Sequence, residues 1–177
     1  MLMLNSPYSE YPYSSPGNAH GPNAEKLTKK VLDLIKGIKG VKKICDLGCG
    51  NGYFSNALSL AGYEVSGVDL SESGVAYAKK NYSKHMRFIY APIGKELSGL
   101  LGKEQFDLVI SIEVLSHLYR PSDLMEAAQV CLKKGGYFIL CRFRRGRSPN
   151  ARVSGCLKKA LRRSPMRSCW RFCCETG

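Results

Sequence analysis

The segment Asp46-Leu47-Gly48-Cys49-Gly50-Asn51-Gly52 sets three glycines at alternate positions between two runs of different period. Lys43–Leu47 before it is short and apolar, as a buried strand is, and Tyr53–Ala61 after it is helical in pattern and closed by Gly62. A glycine-rich turn between strand and helix lets a ligand come close to the backbone, where side chains would block it and N–H groups can face it. Dinucleotide turns follow the pattern G-x-G-x-x-G, whose third glycine would fall at position 53. Tyr53 stands there, so glycines at 48, 50 and 52 favour a ligand without a pyrophosphate.

The rest of the chain repeats the alternation. Residues 5 to 22 are rich in Pro, Ser, Tyr, Gly and Asn and read as a flexible arm. Asn23 caps a helix from Ala24, whose Leu27, Val31, Leu34, Ile35 and Ile38 recur at helical spacing until Gly37 or Gly40. Glu64 to Asp69 reads as a second strand, and Ser71 caps a helix to about Asn81. Arg87 to Tyr90 and Phe106 to Ile112 come next as strands, then a helix over Ser122 to Leu132 and a fifth strand, Tyr137 to Cys141. Apolar strands alternating with helices predict an α/β fold, a doubly wound and mostly parallel sheet.

Asp69 ends the second strand. At the carboxyl edge of a parallel sheet its carboxylate lies beside the glycine turn, where it can accept hydrogen bonds from both hydroxyls of a ribose. The alternative is that Asp69 only caps the next helix alongside Ser71, a reading that weakens once the glycine turn is taken with it.

The order DLGCGNG, GVDLS, FDLVISIEVLSHL and LKKGGYFIL resembles the class I S-adenosylmethionine-dependent methyltransferases over residues 24 to 140. It lies close to their small-molecule branch, which includes the ubiquinone-biosynthesis O-methyltransferases. The resemblance implies a Rossmann-like sheet and S-adenosylmethionine as cofactor. It also implies that Gly48, Cys49 and Gly50 line the methionine part, with Asp46 orienting its amino group. Asp69 would hold the ribose, Leu70 would pack on the adenine, and Ile112 would give a backbone contact near the methionine. Many relatives carry an acidic residue after the third strand to meet the adenine amino group. Here the stretch is Tyr90-Ala91-Pro92-Ile93, so backbone around Ile93 would substitute. Cys49 also has a plain reading as a small residue in a tight turn, and it is not read as a nucleophile.

Methyl transfer needs an in-line approach and a positioned acceptor, with a general base where the acceptor is a hydroxyl. Glu113 and His117 are the candidate catalytic residues, sharing one side if the stretch makes a helical turn. Ubiquinone-type relatives have E-x-x-E-H here, thought to bind a divalent metal. Ser116 replaces the second Glu, and two ligands make a weak site for a hard cation, so no metal is assigned. His20 and His85 fall in loops or at element ends, and Tyr11 and Tyr13 belong to the arm.

Charge divides the chain near Leu140. Of the net +13, residues 1 to 140 carry 16 basic and 13 acidic side chains, whereas residues 141 to 177 carry 11 basic and one acidic. Arg replaces Lys, and five of the eight cysteines fall in this tail. The division predicts an arm at 1–23, a methyltransferase-like domain at 24–140 and a basic Arg/Cys-rich tail at 141–177. Arg, Ser and Cys enrichment of this kind is what translation out of frame gives, which predicts a sheet incomplete on its C-terminal side. Tyr137 to Leu140 would then be an exposed apolar edge. Val153, Cys156, Leu157, Ala160 and Leu161 also fit a basic amphipathic helix of the kind that grips RNA or an anionic membrane. No nucleic-acid motif supports that use, and Cys169, Cys173 and Cys174 lack paired zinc spacings. No apolar run is long enough to span a bilayer, so the expectation is a soluble, cytoplasmic chain. Its expected partner is a small-molecule methyl acceptor. The alternatives are a truncated remnant that binds cofactor without catalysis, and an RNA-binding methyltransferase that uses its tail.

Overall fold

A computed structural model describes residues 24–82, 84 and 86–141, and the backbone of 159–163 and 170–173. Its elements, in chain order, are α1 (Ala24–Lys36), β1 (Lys43–Leu47), α2 (Tyr53–Leu60), β2 (Glu64–Asp69), α3 (Glu72–Tyr82) and β3 (Arg87–Tyr90). Then come α4 (Leu97–Leu101), β4 (Phe106–Ile112), α5 (Pro121–Cys131), β5 (Leu132–Cys141), β6 (Lys159–Arg163) and β7 (Trp170–Cys173). The sheet order is β3-β2-β1-β4-β5-β6-β7. Every pairing from β3 to β5 is parallel, and β6 and β7 add two antiparallel pairings. The doubly wound, mostly parallel sheet expected from the alternation is present.

The two-residue period of the strands sorts their side chains into two cores. Ile44 of β1, Leu108 and Ile110 of β4, and Ile139 of β5 pack with Leu27, Val31 and Ile35 of α1 and Phe54 and Leu58 of α2. Cys45 and Leu47 of β1, Val109 of β4, and Phe138 of β5 pack with Leu97 and Leu101 of α4 and Leu124, Ala127 and Ala128 of α5. α1 buries Leu27, Val31 and Ile35, one turn apart on a single stripe, which is why its period was readable from the sequence. Asp107 ties the amino ends of three strands: its Oδ2 accepts the N–H groups of Lys42 and Lys43, and its Oδ1 accepts from Lys133 Nζ at 2.7 Å.

Ser71 does cap α3, its Oγ accepting the N–H of Gly74 at 3.1 Å. β5 begins at Leu132, earlier than the pattern suggests, because Lys133–Gly136 extend the strand past the irregularity between Phe106 and Leu108. The expected caps and side chains at Asn23, His20, His85, Tyr11 and Tyr13 lie outside the described residues.

Two expectations for the tail are corrected. β5 is not an exposed edge: Tyr137 to Leu140 pair with Arg162 to Lys159 in antiparallel register. Lys159–Arg163, assigned to an amphipathic helix, is a strand. The open edge of β5 offers a row of backbone donors and acceptors, and satisfying them outweighs the weak helical period of a short segment. The rest of that stretch lies outside the described residues.

Gly67, in the middle of β2, lets the turn lie flat on the sheet. A Cβ there would fall 2.8 Å from Cys49 Sγ and 2.8 Å from Phe88 Cδ1. We expect Gly67→Ala to cost about 1–3 kcal/mol in urea denaturation; a change within about 0.5 kcal/mol would show that the packing gives way easily.

Candidate functional site

The carboxyl ends of β1, β2 and β4 meet around residues 46 to 52. This is where the strand order reverses: the chain moves outward from β1 to β2 and β3, then returns on the other side of β1 with β4. Gly48 and Cys49 both donate their N–H groups to the carbonyl of Val68, at 2.8 and 3.0 Å. Gly50 N–H donates to Asp69 Oδ2 at 2.7 Å, and Gly52 N–H to Cys49 O at 2.9 Å. The expectation that these groups face a ligand is therefore corrected. All four N–H groups are taken up within the protein: three by Val68 and Asp69, which offer acceptors at the end of the neighbouring strand, and that of Gly52 by Cys49 inside the turn.

The glycines serve close approach instead. Gly48 has φ +85°, and a Cβ on it would coincide with Val114 Cγ2. Gly52 has φ +79°, and a Cβ there would lie 2.8 Å from Ala78 Cβ of α3. Gly52 thus provides the helix packing that a dinucleotide turn obtains one residue later. Cys49 is buried with Val75, Ala78 and Phe88, and burial pushes its thiol well above the ordinary range. Its side chain is packing, as its plain reading had it, which leaves only its backbone for a ligand.

Two carboxylates flank the turn. Asp46 is 2% exposed, and Ser55 Oγ of α2 donates to its Oδ2 at 2.6 Å. Burial, helped by the nearby Asp69 charge and opposed by the Ser55 hydroxyl, raises its pKa to about 7. Asp69 accepts from Gly50 N–H on Oδ2 and from Ser71 N–H on Oδ1 at 2.8 Å. Burial also raises its pKa, and those backbone donors oppose the rise. Asp69 thus sits against the glycine turn and also shapes the start of the α3 turn. The site sets one buried and one half-buried carboxylate on two strands, beside a turn whose Gly48, Cys49 and Gly50 N–H groups are engaged by β2.

The other candidates are spread along the same edge. Ile112 is buried at the end of β4, while Leu70 and Ile93 are half-buried, Ile93 against the core of α4 and α5. Glu113 and His117 do not share a helical face. Glu113 has φ +61°, its N–H donates to Cys141 O, and only Leu115–His117 form a short 3₁₀ turn. Parallel pairing holds Glu113 to the end of β5, so the helix cannot begin before Val114. Glu113 is half-buried and His117 exposed. Among the described residues, no group of three or more His, Cys, Asp and Glu could hold a metal ion.

A family described as a methyltransferase domain matches residues 38–171, three quarters of the sequence and past the end of β5. The chain belongs to this methyltransferase domain family. It is 35% identical over 108 residues to a protein named ubiquinone biosynthesis O-methyltransferase from Azoarcus sp. strain BH72, covering 59% of this chain and 46% of the relative. The methyltransferase domain thus spans about half the length of the relatives it matches. Its fold is that of an S-adenosylmethionine-dependent methyltransferase from Aquifex aeolicus, with a TM-score of 0.61 at 20% identity over 73% of this chain and 72% of that one. The N-methyltransferase NodS from Bradyrhizobium japonicum, solved with S-adenosyl-L-homocysteine, superposes with a TM-score of 0.59 at 20% identity, covering 71% of this chain and 65% of its own. No described helix of the methyltransferase domain is long and apolar enough to cross a membrane.

Three contributors escaped the sequence reading. Gly67 had a signal, since a glycine inside a strand marks close backbone approach. Val114, over Gly48, and Ser55, beneath Asp46, had none, because both act across the fold. The raised Asp46 pKa gives a signed expectation. Its carboxyl binds a proton more tightly folded, at about 7, than unfolded, near 3.8, so this group costs the ligand-free protein stability as pH rises through that interval. Asp46→Asn removes the cost. The variant should gain melting temperature relative to the parent between pH 4 and pH 8; a difference that stays flat with pH would contradict the assignment.

Proposed function

We propose that this domain binds S-adenosylmethionine at the carboxyl edge of β1, β2 and β4 and methylates a small molecule, with a hydroxyl as the favoured acceptor. The observation that carries the reading is the pair of carboxylates, Asp46 buried and Asp69 half-buried, beside a turn whose Gly48, Cys49 and Gly50 N–H groups are taken up by β2. An anionic pyrophosphate finds the N–H groups of Gly48, Cys49, Gly50 and Gly52 already committed within the protein. A ligand with an ammonium and a sulfonium relieves the charge that burial opposes. When bound, S-adenosylmethionine supplies a methyl group on a positively charged sulfur.

In this reading Asp46 orients the cofactor's amino group, directly or through water, and Ser55 fixes the carboxylate that does so. Gly48, Cys49 and Gly50 offer backbone to the methionine part. Asp69, steadied by Gly50 and Ser71, uses its remaining lone pairs for the ribose hydroxyls. Leu70 covers the adenine, backbone near Ile93 meets its edge, and Ile112 closes the methionine side. His117, exposed just beyond β4, is the proposed base for the acceptor, with Glu113 beside it in sequence. The hydroxyl preference is supported by the relatives named O-methyltransferase.

The test is thermal shift and calorimetry with S-adenosylhomocysteine and with NADH. S-adenosylhomocysteine should raise the melting temperature, NADH should not, and Asp69→Asn should weaken S-adenosylhomocysteine by about tenfold or more. With a methylatable acceptor in hand, His117→Ala should lower kcat by about a hundredfold while leaving S-adenosylhomocysteine binding intact. Stabilisation by NADH in preference to S-adenosylhomocysteine would overturn the reading.

A further inference from the structure

We infer that Ser111 is a positioning residue for the cofactor turn: from β4 its hydroxyl fixes the peptide plane at which the turn begins. The inference rests on the reading of that turn as the cofactor site. Ser111 is fully buried near the carboxyl end of β4, and its Oγ donates to the carbonyl of Leu47 at 2.9 Å. β1 and β4 pair as Ile44↔Leu108, Cys45↔Val109 and Asp46↔Ile110, and there the pairing ends. Leu47 is the next residue, fully buried and beyond the ladder. Its carbonyl faces a strand whose backbone no longer continues the register, and the Ser111 side chain supplies the hydrogen bond instead.

The other end of the same peptide is held from the opposite side. Gly48 N–H donates to Val68 O of β2 at 2.8 Å. The Leu47–Gly48 peptide is therefore clamped at its carbonyl by β4 and at its N–H by β2, across the point where the strand order reverses. The remainder of the turn needs that clamp. Gly48, at φ +85°, has wide conformational freedom of its own, so the bonds on either side of it select the orientation in which the turn begins. Turning this plane would shift Gly48 against Val114 and carry Gly50 away from Asp69. The fold thus uses a side chain where a backbone ladder runs out, and the geometry of the cofactor turn depends on it.

Ser111→Ala removes a donor from a buried carbonyl. Val109→Ala is the control: it opens a cavity in the same strand, on the α4 and α5 side, without removing a hydrogen bond of the turn. The experiment measures S-adenosylhomocysteine affinity by calorimetry and amide hydrogen exchange residue by residue, on the full chain. In Ser111→Ala, affinity should fall roughly tenfold, and exchange at Gly48 and Cys49 should accelerate more than at Ile44 and Leu108. Val109→Ala should lower the melting temperature while leaving affinity and the Gly48 exchange unchanged. Parental affinity in Ser111→Ala, or equal loss in both variants, overturns the inference. If the parent itself does not bind S-adenosylhomocysteine, the cofactor reading fails, and the exchange comparison still decides whether Ser111 holds the turn. Ser111→Cys, of similar size with a weaker donor, serves if the alanine variant does not fold, and the same comparisons then decide it.

Discussion

One carbonyl organises the site. Val68 O, near the end of β2, accepts the N–H groups of both Gly48 and Cys49, and the next residue, Asp69, takes the N–H of Gly50. These three bonds fold the turn back onto the second strand. The packing is their consequence: Cys49 is pressed against β2, so Gly67 has no room for a side chain, and Gly52 meets Ala78 and Phe88. The chemistry is another, since donors committed to Val68 and Asp69 are not offered to an anion. A single hydrogen-bonding pattern sets both how the turn packs and which sign of charge it suits.

The carboxylates at the two edges of the sheet make the contrast plain. At the amino edge, Asp107 is also partly removed from water, yet Lys133 and the N–H groups of Lys43 and Lys42 hold its carboxyl below the ordinary range. At the carboxyl edge, burial dominates, and Asp46 and Asp69 are both raised. Asp107 is satisfied by the fold. Asp46 and Asp69 are the pair whose charge the fold itself does not fully balance, the pattern of groups kept for a ligand rather than for stability.

Much of this was readable in the sequence, for identifiable reasons. Short apolar runs bounded by turn residues gave β1 to β4 at their observed limits, and the α1 stripe gave its helix. The glycine turn and Asp69 were legible because spacing alone brings them to one edge of a parallel sheet. The direction of the N–H groups was not, since it depends on an acceptor about 20 residues downstream. Ser111 and Ser55 look like ordinary small polar residues until the fold brings Leu47 and Asp46 to them. The helical reading of Glu113 to His117 failed because pairing to Cys141 holds Glu113 in a left-handed conformation. The helix assigned across Lys159–Arg163 failed because the open edge of β5, a long-range partner, decides the conformation there.

Buried Asp46 and half-buried Asp69, beside amides committed to β2, suit a cationic cofactor, and the most direct test of that is a count of protons. With Asp46 at about 7 in the ligand-free protein, the group is mostly protonated at pH 6 and must ionise to meet an ammonium. Calorimetry of S-adenosylmethionine binding at pH 6, in buffers of different ionisation enthalpy, reads that proton directly. Release should approach about one proton per cofactor bound and be lost in Asp46→Asn. Binding with no proton release, or with net uptake, would contradict it.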